Sequence, residues 1–596
     1  MEARGTRVTL HDQPNRGLNN AIGDHPAMDV PSDPVDFLII GGGSAGCAMA
    51  SRLSEDPGTR VLLCEAGRDV TPSNIPSVLA SPYPGRTYFQ EEWLWGSLQA
   101  SRGDSGTNQP TEPWFYEQAR LLGGGSSING ICANRGSPYD YDEWASIGAH
   151  GWSWPDVLPY FKKLETDADY GEPLHGKSGP VPIQRHRQKD WTGYTRIMAK
   201  IFTDMGYAMH EDQNGPWTDG VFPTTFNVDP NGTRGSAALV YLSAEVRRRP
   251  NLTVLTESPL DRLVIAGGRV EAARFTRNNG ENFVVTARQV IVSAGALQSP
   301  VVLMRSGIGP GAHLSERGVE VQVDRSGVGQ NLQEHPNIGI SGYLHQSARL
   351  PSREVHHLQA LLRYSSNIEG IPPGDMHVAI AARGGWHAVG QRIGTLGFWV
   401  NRSYSTGHVR LSASPDKRSD IDFRMLSDPR DMARLKEAFR IGVRAMTAAK
   451  QAGVVLDVFP SGYSPRIREL TRPSTRNAAI TAVAAPLMDR SDGIRKKIMT
   501  YAVGTEYSAE TLAADDTLLE AHLRRRVNGT WHPCGTCRMG DPSDRMAVTD
   551  PQARVIGVEG LRVCDASLMP TAPSANLNIP VLMIAEKTAA TIRAGG

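Results

Sequence analysis

Cysteine is scarce: six residues, at positions 47, 64, 132, 534, 537 and 564, in a chain of 596. They are too few and too scattered for a disulfide framework, which points to a reducing cytoplasm. The N-x-S/T triplets at Asn231, Asn251, Asn401 and Asn528 then read as chance matches, because glycosylation needs a secretory route. An excess of one charge is also missing. Lys and Arg total 63 against 62 Asp and Glu, a formal net charge of +1. No net field would steer such a protein to nucleic acid or anionic lipid, and a small neutral substrate fits better. No apolar run reaches the roughly 18 residues of a membrane-crossing helix, so no integral membrane segment is expected. Residues 1–33 carry charge, Pro, Asn and Gly, resemble no signal peptide, and read as a mobile leader.

What is present is enough apolar material, 40% of residues, to bury a large core, and the length suggests two to four domain-sized units. The stretch "VDFLIIGGGSAGCAMASRLSEDPGTRVLLCEAG" opens on an apolar run, Val35 to Ile40, of the length of a buried parallel strand. Gly41, Gly43 and Gly46 follow in G-x-G-x-x-G spacing, then a helix-compatible segment, then a second apolar run ending at Glu65. Each glycine has a task in a βαβ dinucleotide cradle. Gly41 permits the tight turn, Gly43 lets a pyrophosphate approach the backbone, and Gly46 lets helix pack on strand. The helix start at Ser44 and Ala45 would then present free N–H groups to the phosphates. Glu65, with Ala66 after it, stands where a carboxylate accepts hydrogen bonds from ribose hydroxyls. None of this separates NAD from FAD, since both carry ADP.

Further along, "ARLLGGGSSINGICANRGSPYDYDEWA" supplies a second glycine cluster followed by small polar residues and Asn129. Together with "SAGALQSPVVLMRSGIGP" (293–310), "WHPCGTCRMG" (531–540) and "LRVCDASLMPTAPSANLNIPVLMIAEKTA" (561–589), it resembles the four blocks of the glucose–methanol–choline (GMC) oxidoreductases, in family order, over roughly residues 33–596. "ADYGEPLHGKSGPVPI", "FWVNRSYSTGHVRL" and "DFRMLSDPRDMARLK" further resemble bacterial oxidases of hydroxymethylfurfural and benzylic (aryl) alcohols. The resemblance implies an α/β fold: a Rossmann-like FAD-binding domain from residues 34–150, 235–325 and 525–596, and a substrate-binding cap with an antiparallel sheet and helices from 151–234 and 326–524. It also implies that Leu122, Gly124, Gly125, Asn129, Gly130, Ile131 and Cys132 lie along the flavin and pyrophosphate, that Leu260 meets adenine through its backbone, and that Ala294, Asp565, Ala566 and Asn578 complete the FAD site. Some family members attach FAD through a histidine just before the asparagine. Here that position is Ile128, so the flavin should be non-covalent.

The same resemblance assigns the active-site pair to His532 and Asn576. Hydride leaves a carbinol carbon readily only if the hydroxyl proton leaves too, and a neutral imidazole with a pKa near 6.5 can take it, typically contributing about 10² to 10⁴ in rate. Asn576 would hold the same oxygen and so fix the carbinol carbon. The neighbouring Cys534 and Cys537 suggest half a zinc site or a redox dithiol. A structural zinc needs four ligands and the other cysteines form no second pair, so no metal is expected and both read as packing residues.

Residues 395–413 read as two strands around a turn, with Gly397, Trp399 and Asn401 on one face and Phe398 and Val400 on the other. The resemblance turns the first set to the substrate. With Trp531 beside the base, Trp399 favours a flat, mostly apolar alcohol, aryl or furanic, over a sugar. Residues 460–508 are longer and more basic than the matching furanic-oxidase segment, and fit two short amphipathic helices serving as a lid, a homo-oligomer contact or a membrane-surface patch. The leading expectation is an FAD-dependent alcohol oxidase making an aldehyde from a primary alcohol, with oxygen as acceptor. A dehydrogenase using a quinone-like acceptor and a hydroxynitrile lyase on the same fold are the alternatives.

Overall fold

The computed structural model describes residues 33–595 and Pro31, apart from residues 72, 82, 89, 97, 104–112, 352–354, 415, 416, 418, 463, 505 and 506. The leader expected over 1–33 lies outside the described residues except at Pro31 and Asp33.

The strand Val35–Ile40, apolar and β-branched, forms between two parallel neighbours, Val61–Cys64 on one edge and Ala287–Val292 on the other. Leu252–Leu255 and Leu561–Val563 extend the sheet to five parallel strands, in the order 561–563, 287–292, 35–40, 61–64, 252–255. One sheet thus draws strands from the beginning, middle and end of the chain. Burial of Leu38, Ile39, Leu62, Leu63 and Ile291 at 0% exposure explains why these runs are uniformly apolar rather than alternating. The helix Ser44–Leu53 packs on this sheet, and it can do so only because residue 46 is glycine: a Cβ there would sit 1.9 Å from the Gly41 carbonyl oxygen. Gly41 itself turns the chain off the strand at φ +99.

A second sheet of six antiparallel strands runs in the order Val455–Pro460, Asn337–Leu344, Ile393–Val400, Met376–Ala381, Leu358–Tyr364, Gly220–Pro223. The helix Pro429–Gln451, capped by Asp428 accepting from the Arg430 N–H, covers one face. Against it lie the buried side chains Leu396, Phe398 and Val400, alternate residues of one strand. The opposite face of this sheet looks into a cavity, roofed by the helices Pro465–Thr471, Thr475–Arg490 and Asp492–Val503. Sequence periodicity anticipated the second and third of these helices. Among the described residues no helix is long and apolar enough to cross a membrane.

The two strands expected over 395–413 form, as Ile393–Val400 and His408–Leu411, but they do not pair with each other. Ile393–Val400 has both edges occupied by Asn337–Leu344 and Met376–Ala381, while His408–Leu411 pairs with Ser419–Asp422 in a separate ribbon. Between them the chain is drawn away by Asp431, whose carboxylate accepts from the Tyr404 and Ser405 N–H groups and the Ser403 hydroxyl. Gly397 and Trp399 face the cavity as expected. Asn401 does not; it lies past the strand, donates to the Gly374 carbonyl and accepts from the Trp399 indole at 3.2 Å.

Candidate active site

A single cavity of about 890 Å³ runs from the first glycine turn to the roof helices. At its nucleotide end, Gly43, Ser44 and Ala45 present the start of helix Ser44–Leu53, which has no side-chain cap and no acidic residue in its first turn. Those orphan N–H groups and the positive end of the helix dipole suit an anion. Ser293 lines the same wall, and its buried hydroxyl has no hydrogen-bond partner among the described residues. Glu65, 7% exposed, closes the wall, with its two carboxylate oxygens accepting the Gly42 and Gly67 N–H groups at 2.7 Å each. Burial pushes the Glu65 carboxyl up, against those two hydrogen bonds. An uncapped helix start, an unpartnered hydroxyl and a buried carboxylate on one wall match the phosphates and ribose of a dinucleotide.

The second glycine cluster wraps the middle of the cavity. Gly124, Gly125, Asn129, Gly130, Ile131 and Cys132 line it, as do Ala66, Leu260, Ala294, Asp565, Ala566 and Asn578. Asn129 is locked by the buried Arg234, whose guanidinium donates to its carbonyl at 2.7 Å and its side-chain oxygen at 2.8 Å. That same oxygen accepts the N–H of Ile131, a β-branched residue held at φ 54, where strain marks an imposed backbone. Asp565 accepts from the Gly295 and Ser567 N–H groups and the Ser299 hydroxyl. Asn578 accepts from Ser44 at 2.8 Å, tying the last helix, Asn578–Arg593, to the first. Two expected cofactor residues stand one layer back. Gly46 makes the helix-to-strand contact, and Leu122, 0% exposed, packs behind Gly42.

The candidate catalytic end is built on the loop that carries His532. Asn576 Nδ2 donates to His532 Nε2 at 3.0 Å, which leaves the ring hydrogen on Nδ1. Nδ1 lies 2.7 Å from the Thr530 hydroxyl and 3.0 Å from His335 Nδ1. Beneath them is Glu334, 3% exposed, whose carboxylate accepts from the N–H groups of His335, Thr530 and His532 and from the hydroxyls of Thr530 and Tyr116. Burial pushes the Glu334 carboxyl up and this donor set pulls it back. Between Thr530 and His532, Trp531 is held at φ 60, left-handed for a bulky residue. Glu334 grips the N–H on either side of it, and the indole donates to Glu117 at 3.0 Å. Glu117 also pairs at 2.9 Å with Arg468 of the roof helix Pro465–Thr471, so roof and catalytic loop share one carboxylate.

Burial drives the His532 imidazole well below its ordinary pKa, reinforced by His335 and His377. The buried ring therefore favours its neutral form more than a free imidazole does. His377 stacks on Trp399 with ring centroids 3.9 Å apart, which places Trp399 at the His532 end of the sheet. Cys534 and Cys537 are buried free thiols, pushed well up by burial, and take no part in this constellation. Sequence reasoning missed Arg234, Glu334, His335, His377 and Thr530. The adjacent acid and imidazole in "NLQEHP" are the one local signal that could have drawn attention to Glu334 and His335.

A parallel sheet with a dinucleotide turn, opening onto a neutral buried imidazole paired with an amide, defines a nucleotide-dependent oxidoreductase. Comparison with known proteins narrows this. Residues 35–337 and 403–585 match the N-terminal and C-terminal family models described as GMC oxidoreductase. The chain is 40% identical over 565 residues to 5-(hydroxymethyl)furfural oxidase of Methylovorus sp. (strain MP688), covering 94% of this chain and 98% of that one. It is 33% identical to oxygen-dependent choline dehydrogenase of Sinorhizobium fredii, covering 93% and 94%. Among solved structures, pyridoxine 4-oxidase from Mesorbium loti superposes with a TM-score of 0.76 at 28% identity, covering 94% and 99%. A fungal aryl-alcohol oxidase shares the fold, with a TM-score of 0.71 at 22% identity over 95% and 100%. The chain belongs to the GMC oxidoreductase family. It is an FAD-dependent alcohol oxidoreductase.

Proposed function

We propose that the protein oxidises a primary alcohol carrying an apolar, aromatic or furanic body to the aldehyde, with oxygen as electron acceptor. The observation that carries this reading is the His532–Asn576 pair, 3.0 Å apart, in the same cavity as the uncapped helix start and the second glycine cluster. FAD, when bound, supplies an acceptor for the hydride of the carbinol carbon. Everything else falls to this chain's residues. Gly43, Ser44, Ala45 and Glu65 hold the ADP half, and the 124–132 segment with Ala294, Asp565, Ala566 and Asn578 holds the rest. Binding is non-covalent: Ile128 offers no nucleophile, and burial pushes the Cys132 thiol up to about 12, so it stays protonated.

Substrate hydroxyl displaces the Asn576 amide from His532 Nε2, which then takes the hydroxyl proton. The displaced Asn576 amide then donates a hydrogen bond to the same oxygen. The imidazolium so formed is stabilised through Nδ1–H, Thr530 and the Glu334 carboxylate. Trp399 and Trp531 wall the alcohol. Segments 34–150, 235–325 and 525–596 form the cofactor body and 151–234 with 326–524 the cap. The six free cysteines fit a reducing cytoplasm.

The test is an anaerobic screen of benzylic, furanic, aliphatic and choline-like alcohols for bleaching of the flavin absorbance, followed by admission of air. The expected result is bleaching by apolar primary alcohols, then rapid recovery with one hydrogen peroxide per alcohol. Colour persisting under every alcohol removes the oxidoreductase reading, and reduced flavin that survives in air removes oxygen as acceptor.

A further inference from the structure

Resting on the alcohol-oxidising reading, we propose that the natural substrate is a primary alcohol with an extended apolar tail, far longer than a single ring. Along the strand Ile393–Val400, residues 393, 395, 397 and 399 alternate onto the cavity face. Trp399 marks the catalytic end through its stack on His377. At a strand rise of about 3.3 Å per residue, the cavity follows this floor for roughly 20 Å away from His532. A single aromatic carbinol occupies only the first pair of these positions, because alternate residues stand about 7 Å apart.

The floor is made of small residues. Gly397 has room for a Cβ, whose nearest neighbour would be Asn337 Nδ2 at 3.7 Å, and Thr395 spends its hydroxyl on Ser341 at 2.8 Å. The roof is apolar, with Ile480 and Ala484 one turn apart on helix Thr475–Arg490 and Ile498 and Met499 on helix Asp492–Val503. At the far end Ile393, Ala484, Ile498 and Met499 line the gallery and pack on the buried cluster of Tyr343, Val389, Ala485 and Met488. A floor of small side chains under an apolar ceiling leaves a slot for a hydrocarbon chain or several fused rings. Of the polar side chains that line it, Ser341, Thr395, Ser461, Thr471 and Thr481 are already hydrogen-bonded within the protein, which leaves few partners for the polar groups of a sugar or a peptide.

Tail burial binds ground state and transition state alike, so it lowers KM and leaves kcat nearly constant. The experiment measures kcat/KM on the holoenzyme for n-alkanols of increasing length, with benzyl alcohol as reference. We expect about a fourfold rise per added methylene, carried by KM. It should continue to chain lengths on the order of a dozen carbons, where the floor ends. In Thr395→Leu and, separately, Ala484→Phe, the ratio of dodecanol to benzyl alcohol kcat/KM should fall by about 10² or more, because three or more methylenes lose their place. A flat or declining series beyond the size of one ring, with benzyl alcohol still bleaching the flavin, overturns the long-tail inference alone. Failure of every alcohol to bleach the flavin overturns it together with the reading on which it rests.

Discussion

Replacing Glu334 by glutamine keeps the shape beneath the catalytic loop and removes its charge. A carboxylate oxygen of Glu334 and a ring nitrogen of His532 lie within 4.8 Å of each other. At an effective dielectric near 20, a charge pair at that separation is worth about 3 kcal/mol, a factor on the order of 10² in rate if the imidazolium forms in the transition state. The neutral imidazole of the resting enzyme gains little from the charge, so substrate binding should change less than threefold. Glutamine also turns an NH₂ toward donors such as the Tyr116 hydroxyl and the His532 N–H, at a cost of about 1–3 kcal/mol in stability. Tyr116→Phe separates the two effects: it removes one donor, costs about 1 kcal/mol of stability, and keeps the charge. Stopped-flow flavin reduction under anaerobic conditions should show Glu334→Gln slowed about 10²-fold and Tyr116→Phe within threefold of the parent. Equal slowing of both, or full activity in Glu334→Gln, would refute the electrostatic role.

Gly46→Ala puts a Cβ 1.9 Å from the Gly41 carbonyl, and should raise the FAD dissociation constant by about 10² or leave the protein colourless on purification. Glu117→Gln unties Arg468 from Trp531, and should raise KM several-fold for any alcohol with kcat little changed; an unchanged KM contradicts the shared-carboxylate link. Stability should fall on both sides of neutrality. Burial holds His335, His387 and His522 down to about 4, so stability present above about 6.5 is lost as pH falls, by up to about 1.4 kcal/mol per histidine per pH unit. His175 is raised to about 10 by Asp167, Asp212 and Glu165 despite its burial, so its contribution is full below about 6.5 and lost as pH climbs toward 10. A melting temperature that stays level from pH 5 to 10 would contradict both assignments.

The nucleotide cradle was legible because its parts sit within three dozen residues and its glycines act through local backbone geometry. His532 and Asn576 were reached through block resemblance, and they meet across 44 positions in a chain whose last helix folds back onto its first. The two strands of 395–413 show the limit of periodicity: alternation put Gly397 and Trp399 on one face but could not say which strand pairs with which. Pairing there is decided by Asn337–Leu344 and Met376–Ala381. Glu334 was invisible for a similar reason, since its bonds to the His532 loop span up to 198 positions. The low pKa of His532 comes from packing around it, which residue identity alone does not encode.

In the proposed mechanism His532 takes the alcohol proton, and this step has a direct test: the limiting rate of anaerobic flavin reduction in His532→Ala with its FAD content verified by absorbance. Full FAD occupancy and a rate lower by about 10² to 10⁴ are expected. A variant that binds FAD and is reduced at the parental rate would contradict it.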